Sequence, residues 1–221
     1  GDILRAGDAV VEFSPDLVVS LVGSTVSSTA RGPGMSFNNL KPEIGAPGAS
    51  VSAEVGTGSL RTPFGGTSGA TPMVAGAAAL LQEKCKLEHL VREGYPGPGC
   101  QPFVLKSLLM NNAFRDVISD TTGELAEISR IGGGELRVDK SASASFYAHA
   151  TDQQQPSIAL GFRDVPYETQ VLHEITVTNT SAEPLGIEVT PQYRYADDEA
   201  AHAVIVLPAS RILTVPPYAS R

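Results

Sequence analysis

Apolar residues follow two different rhythms along this chain. From Met73 to Leu81 nearly every position is small or apolar, which predicts a buried helix whose Ala75, Gly76, Ala77, Ala78 and Ala79 let neighbours approach closely. From Gln101 to Ala113 the spacing is helical and amphipathic, with Pro102 in the first turn and Val104, Leu105, Leu108 and Leu109 on one face. Beyond residue 156 the period shortens to two. Ile175 and Val177, then Leu185, Ile187 and Val189, then Val204 and Val206 predict strands that each present one apolar face, with Asn179-Thr180-Ser181-Ala182-Glu183-Pro184 as a turn. Between the two regimes, Ser141-Ala142-Ser143-Ala144-Ser145 and Asp152-Gln153-Gln154-Gln155-Pro156 read as a linker. Near the start, Arg5 to Phe13 reads as a turn leading into a strand.

At the head of the first helix stands Phe64-Gly65-Gly66-Thr67-Ser68-Gly69-Ala70-Thr71-Pro72. Gly65 and Gly66 permit a tight backbone path, and Pro72 suits a first helical turn. A serine hydroxyl becomes a useful nucleophile only when a base takes its proton and nearby donors stabilise the resulting oxyanion. Free amides at a helix N-terminus are donors of that kind. From the residues alone, a serine at a helix start such as Ser68 is more often an N-cap than a reactive atom.

Composition narrows the partners. The chain has 221 residues, of which 42% are hydrophobic, enough for one or two domains with a real core. A net charge of -8 argues against nucleic acid and anionic membrane, since either would need a basic face. The longest apolar run is too short to span a bilayer. The only cysteines, Cys85 and Cys100, flank Tyr95-Pro96-Gly97-Pro98-Gly99 and are candidates for a disulfide closing a surface loop; without nearby histidines they make no zinc site. Gly132-Gly133-Gly134 is not followed by Lys-Ser/Thr, which argues against a phosphate loop. Asn179-Thr180-Ser181 also fits the N-glycosylation acceptor pattern.

The stretch Gly66-Thr67-Ser68-Gly69-Ala70-Thr71-Pro72-Met73-Val74-Ala75-Gly76 resembles, without a departure, the nucleophile motif Gly-Thr-Ser-x-Ala-x-Pro-x-Val-Ala-Gly of the subtilisin-like serine peptidases, the subtilases. Upstream, Arg31-Gly32-Pro33-Gly34 and Leu40-Lys41-Pro42-Glu43-Ile44-Gly45-Ala46-Pro47-Gly48 look like the Ser-Arg-Gly-Pro and Lys-Pro-Asp-x-x-Ala-Pro-Gly blocks of that family, with Ala30 in place of Ser and Glu43 in place of Asp. Downstream, the 101–113 helix is similar to the one that packs behind the serine helix, and Gly132 to Asp139 resembles the Gly-x-Gly-x-Val-Asp segment that ends the catalytic domain in many larger members. The strands after 156 resemble a fibronectin type III-like sandwich, although 157–221 is shorter than such a domain usually is.

The resemblance implies an α/β fold: residues 1–140 as the C-terminal part of a parallel-sheet catalytic domain, with 1–22 as the return from an inserted domain, then a linker over 141–156 and a partial β-sandwich over 157–221. It implies Ser68 as nucleophile and, through its backbone N–H, as oxyanion donor, with Gly66 and Thr67 shaping the substrate approach. The triad Asp and His of subtilases precede the serine, but His89, His149, His173 and His202 all follow Ser68, and Asp8 and Asp16 sit in no aspartate motif. Asn38 and Asn39 do not match the context of the oxyanion Asn. The expectation is therefore a fragment of a large exported endopeptidase, inactive alone, whose partners are a protein or peptide substrate and the upstream half of the same protease. No cofactor is implied by the residues; structural calcium occurs in the family, and no carboxylate cluster assigns a site here. The rival expectation is a pseudoenzyme, adhesin or binding module that keeps the subtilase scaffold.

Overall fold

The computed structural model describes residues 22–34, 39–93, 99–160, 164–201 and 204–221. The expected Arg5–Phe13 turn and strand, and Asp8, Asp16, Asn38, Tyr95 and His202, lie outside these residues.

Helix α1 spans Thr67–Glu93 and α2 spans Pro102–Asn111. Their shared seam holds the main core. Ala77 and Leu81 of α1 and Leu108 and Leu109 of α2 are buried together with Leu136, and Val74, Ala78, Val104, Leu105 and Ile44 pack around them. The α1 members recur three and four residues apart, so they form one stripe of a helix, as do the four apolar positions expected for α2. The other side of α1 differs from expectation. Met73, Leu80 and Leu87, spaced by seven, are 41%, 58% and 53% exposed. Only one face of this helix meets described structure. The helix also continues through the charged stretch after Leu81, because Glu83, Lys84 and Lys86 keep good helix propensity and Lys84 pairs with Glu88 at 2.7 Å.

The central strand-like segment is 132–136. It takes bridges from Ile44 and Gly45 and from Phe114, with Gly45 donating to the Gly134 carbonyl, Leu136 donating to Gly45, and Phe114 and Glu135 exchanging two bonds of 2.8 Å. Gly132 and Gly134 have φ of 59° and 125°, and a Cβ on either would strike the Glu43 or Phe114 carbonyl. The glycine run is thus a packing device.

Strand β1 (Ser24–Thr25) pairs in parallel with β4 (Ile118–Ser119) above a small core of Val117, Ala126 and Ile131. Beside it, on the short helix α3 (Ile128–Ile131), Arg130 is 2% exposed; its guanidinium donates to Ser119 Oγ, the Val26 carbonyl and Asp120 at 3.0, 2.7 and 3.2 Å. Strands β2 (Ser50–Ala53) and β3 (Arg61–Phe64) make an exposed antiparallel hairpin that leads into the serine turn.

The stretch expected as a linker is built differently. Ser141 ends up fully buried in α4 (Val138–Ser143), where the Ser141 and Ser143 hydroxyls bond the carbonyls four residues back, and β5 (Phe146–Ala150) follows at once. Alternating Ser and Ala looks unstructured in composition, yet small back-bonded serines fit a crowded helix. Strand β5 pairs with β6 (Ile175–Asn179), and α2 packs on it, Asn111 Oδ1 accepting the Ala148 N–H at 2.7 Å. The other edge of β6 takes residues 219–221, with Val177 and Arg221 exchanging bonds of 2.7 and 2.9 Å. A second antiparallel pair joins β7 (Leu185–Glu188) to β8 (Ile212–Val215). Val204 and Val206 form no strand; the Tyr193 phenol donates to Val204 O and accepts from Val206 N instead. Helix α5 (Ala196–Ala200) completes the described elements.

Asn179 joins the two pairs. It is 1% exposed; its Nδ2 donates to the carbonyls of Glu183, Val215 and Pro216, and its Oδ1 accepts from Ser181 N and Oγ. The nitrogen that a glycan would need is engaged in the interior, so the acceptor pattern is structural. Asn179→Ala leaves several buried carbonyls unmet and is expected to lower unfolding stability by about 3 kcal/mol in a urea titration.

Candidate functional site

Gly66, at φ 73°, turns the chain out of β3 and into α1. Its carbonyl accepts the first helical bonds, from Gly69 N at 3.0 Å and Ala70 N at 3.2 Å. Thr67 and Ser68 are the first two residues of the helix, and both are exposed. As at any helix start, their amides have no intrahelical acceptor. The Ser68 hydroxyl likewise makes no hydrogen bond among the described residues, which separates it from a side chain occupied as a cap.

Pro72 sits in the second turn, beyond the first-turn place expected for it. Having no N–H, it cannot bond the Ser68 carbonyl four residues back, so the serine turn is freed from the regular ladder. Thr71 Oγ1 restores some order by bonding the Thr67 carbonyl at 2.7 Å.

The turn rests on the loop that holds Gly48. The Gly48 carbonyl lies against Gly65 and Gly69, and a Cβ on Gly48 would in turn meet the Gly66 carbonyl at 2.8 Å. That loop is anchored at its other end by Glu43, whose carboxylate accepts from Lys106 at 2.6 Å and pairs with Lys41 at 2.9 Å. Burial alone would raise the Glu43 carboxyl, but the bonds from Lys106 and Lys41 outweigh it and hold the pKa below its ordinary value. No pattern in the sequence marks Lys106 as the partner of Glu43, because the pair closes only when α2 packs against the loop.

At the far end of α1, Cys85 and Cys100 form a disulfide with a Cα–Cα distance of 5.6 Å. Beside it, Gln82 grips the Cys100 backbone twice, donating to its carbonyl at 2.8 Å and accepting its N–H at 3.0 Å. The start of α2 is thereby fastened to the serine helix.

No described histidine reaches Ser68. His149 lies in β5 with its ring 5.0 Å from that of Phe103 and 6.1 Å from that of Tyr147, and burial holds it toward the neutral form. His173 is half-buried just before β6. Among the described residues no group of three His, Cys, Asp or Glu side chains is placed to hold a metal ion, and no helix is long and apolar enough to cross a membrane.

An exposed serine thus stands at the mouth of a helix, on a glycine-packed turn. The sequence pattern of the Subtilase family matches residues 18–156, and the chain belongs to that family of serine peptidases. It is 27% identical to the minor extracellular protease Vpr of Bacillus subtilis over 67% of this chain, and 28% identical to a C5a peptidase of Streptococcus pyogenes over 83%. It is 30% identical to the subtilisin-like protease SBT1.6 of Arabidopsis thaliana over 74%. The chain spans 18%, 16% and 22% of the length of these relatives.

Two outcomes follow from this geometry. A carboxyl with a lowered folded pKa contributes stability that is present above its unfolded value and lost as pH falls through the folded one. Glu43→Gln should therefore melt below the wild type at pH 7, and the gap should close as the pH is taken below the ordinary carboxyl value of 4.5. Replacing Cys85 by Ser opens a loop with a sequence separation of 15 and should lower stability by about 3 kcal/mol under non-reducing conditions.

Proposed function

We propose that this chain is part of a serine endopeptidase in which Ser68 is the nucleophile. The observation that carries the reading is the exposed, unbonded Ser68 hydroxyl beside the free amides of the first turn of α1. Ser68 Oγ attacks the scissile peptide carbonyl while a general base takes its proton. The Ser68 N–H, with the positive end of the helix behind it, donates to the oxyanion of the tetrahedral intermediate. Collapse of that intermediate breaks the C–N bond, the base returns its proton to the leaving amine, and water hydrolyses the acyl-enzyme. Gly66 and Thr67 line the approach, and the missing side chains of Gly65 and Gly66 let an extended peptide come close to the backbone.

The base and its carboxylate partner belong to an upstream part of the same protease, because every histidine of this chain follows Ser68. The apolar stripe of Met73, Leu80 and Leu87 on α1 is the natural seat for that upstream part. The strands that follow residue 156, β6, β7 and β8, are read as part of a fibronectin type III-like sandwich that accompanies the catalytic region. Protein or peptide is the substrate class. The disulfide, together with an extracellular protease among the relatives, favours an exported location.

In the whole protease, Ser68→Ala should lower kcat by roughly 10^6-fold, the size known for subtilisin itself, without shifting the melt by more than about 1 kcal/mol. The isolated 221 residues should turn over no peptide. Wild-type turnover that survives Ser68→Ala would sink the assignment, and a folded whole protein with no peptidase activity would favour a pseudoenzyme or adhesin.

A further inference from the structure

We propose that Arg194, far along the chain in the C-terminal β region, is a positioning residue for the serine turn; this rests on Ser68 being the nucleophile. The Arg194 guanidinium donates to three backbone carbonyls of one hairpin: Nε to Ala126 at 2.9 Å, one terminal nitrogen to Arg115 at 2.6 Å and the other to Val117 at 3.2 Å. Tyr195 donates its phenol to the Leu125 carbonyl at 3.1 Å, and Arg115 donates back to Gln192 at 2.8 Å. A planar fork of donors matches three converging carbonyls in a way a lysine ammonium cannot. The contact is a clamp between the segment 192–195 and the segment 115–126.

The clamped hairpin connects to the site by short steps of backbone bonding. Phe114, next to Arg115, exchanges two bonds with Glu135; Gly134 and Leu136 on either side are bonded to Gly45; and Gly45 leads to Gly48, whose carbonyl lies against Gly65 and Gly69. Ser68 stands between those contacts. Every link is backbone on backbone with no rotatable side chain after the first, so a displacement of the 115–126 hairpin has little slack in which to dissipate. The position of the nucleophile is therefore held in part by the β region that follows the catalytic segment.

The test is made in the whole protease with Arg194→Ala, Arg194→Lys and Tyr195→Phe. At temperatures well below each variant's melt, Arg194→Ala should lower kcat about tenfold with KM held, Arg194→Lys should fall between it and the wild type, and Tyr195→Phe should lie nearest the wild type. A role in stability alone would shift the melt and leave kcat and KM unchanged, and that result overturns the proposal. Should Arg194→Ala fail to fold, the two milder variants carry the same comparison. Amide hydrogen exchange separates this claim from the nucleophile assignment. Even in a protein without Ser68-dependent turnover, loss of the clamp should speed exchange at Gly45, Gly69 and Ala70, and unchanged exchange there shows that no coupling exists.

Discussion

The contact between the Gly48 carbonyl and the backbone of Gly65 and Gly69 is the constraint on which the rest of the site depends. Backbone can approach backbone this closely only where side chains are reduced to hydrogen, so the loop and the serine turn behave as one piece. The turn then has little freedom of its own. Its exposed serine is set by the loop beneath it, and the loop is set by the 132–136 segment and by the ion pairs of Glu43 with Lys41 and Lys106. Rigidity at the exposed serine thus comes from packing that lies behind it, while its face toward solvent stays open.

Cations do much of the tying. Arg130, Lys106 and Arg194 each join segments distant in the chain, and each spends part or all of its donor capacity on oxygens that would otherwise be poorly served. Arg130 is the extreme case, because its guanidinium is buried beside the small core and is compensated by Asp120 at 3.2 Å. A buried cation so placed adds less to net stability than to the uniqueness of the arrangement, since losing one partner strands the other. The acidic net charge of the chain is carried elsewhere, on exposed residues such as Asp197, Asp198 and Glu124.

Local chemistry was readable where it was dense. The serine turn, the amphipathic α2 and the apolar alternation in β6 and β7 come from short-range patterns, and the structure forms a helix or strand at each. Readings that needed a neighbour did not carry over. Composition alone made Ser141–Ser145 a linker, whereas Arg137 and Asp139 supply the carbonyls that turn part of it into a helix. The valines at 204 and 206 alternate as a strand would, yet the Tyr193 phenol takes their backbone groups. Near-continuous apolarity from Met73 to Leu81 predicts a buried helix, yet among the described residues α1 has one packed stripe and one open one, because apolarity records what a helix can bury and not what is there to bury it. Arg130 and Arg194 left no signal at all, and Asn179 left only a turn and an acceptor pattern, since the value of all three lies largely in carbonyls contributed by segments far away in sequence.

The most direct measurement treats the whole protein with a fluorophosphonate, digests it and maps the adduct. The account predicts a single modification, on Ser68, that a competing peptide substrate suppresses. A folded protein that reacts at another serine, or at none, would contradict it.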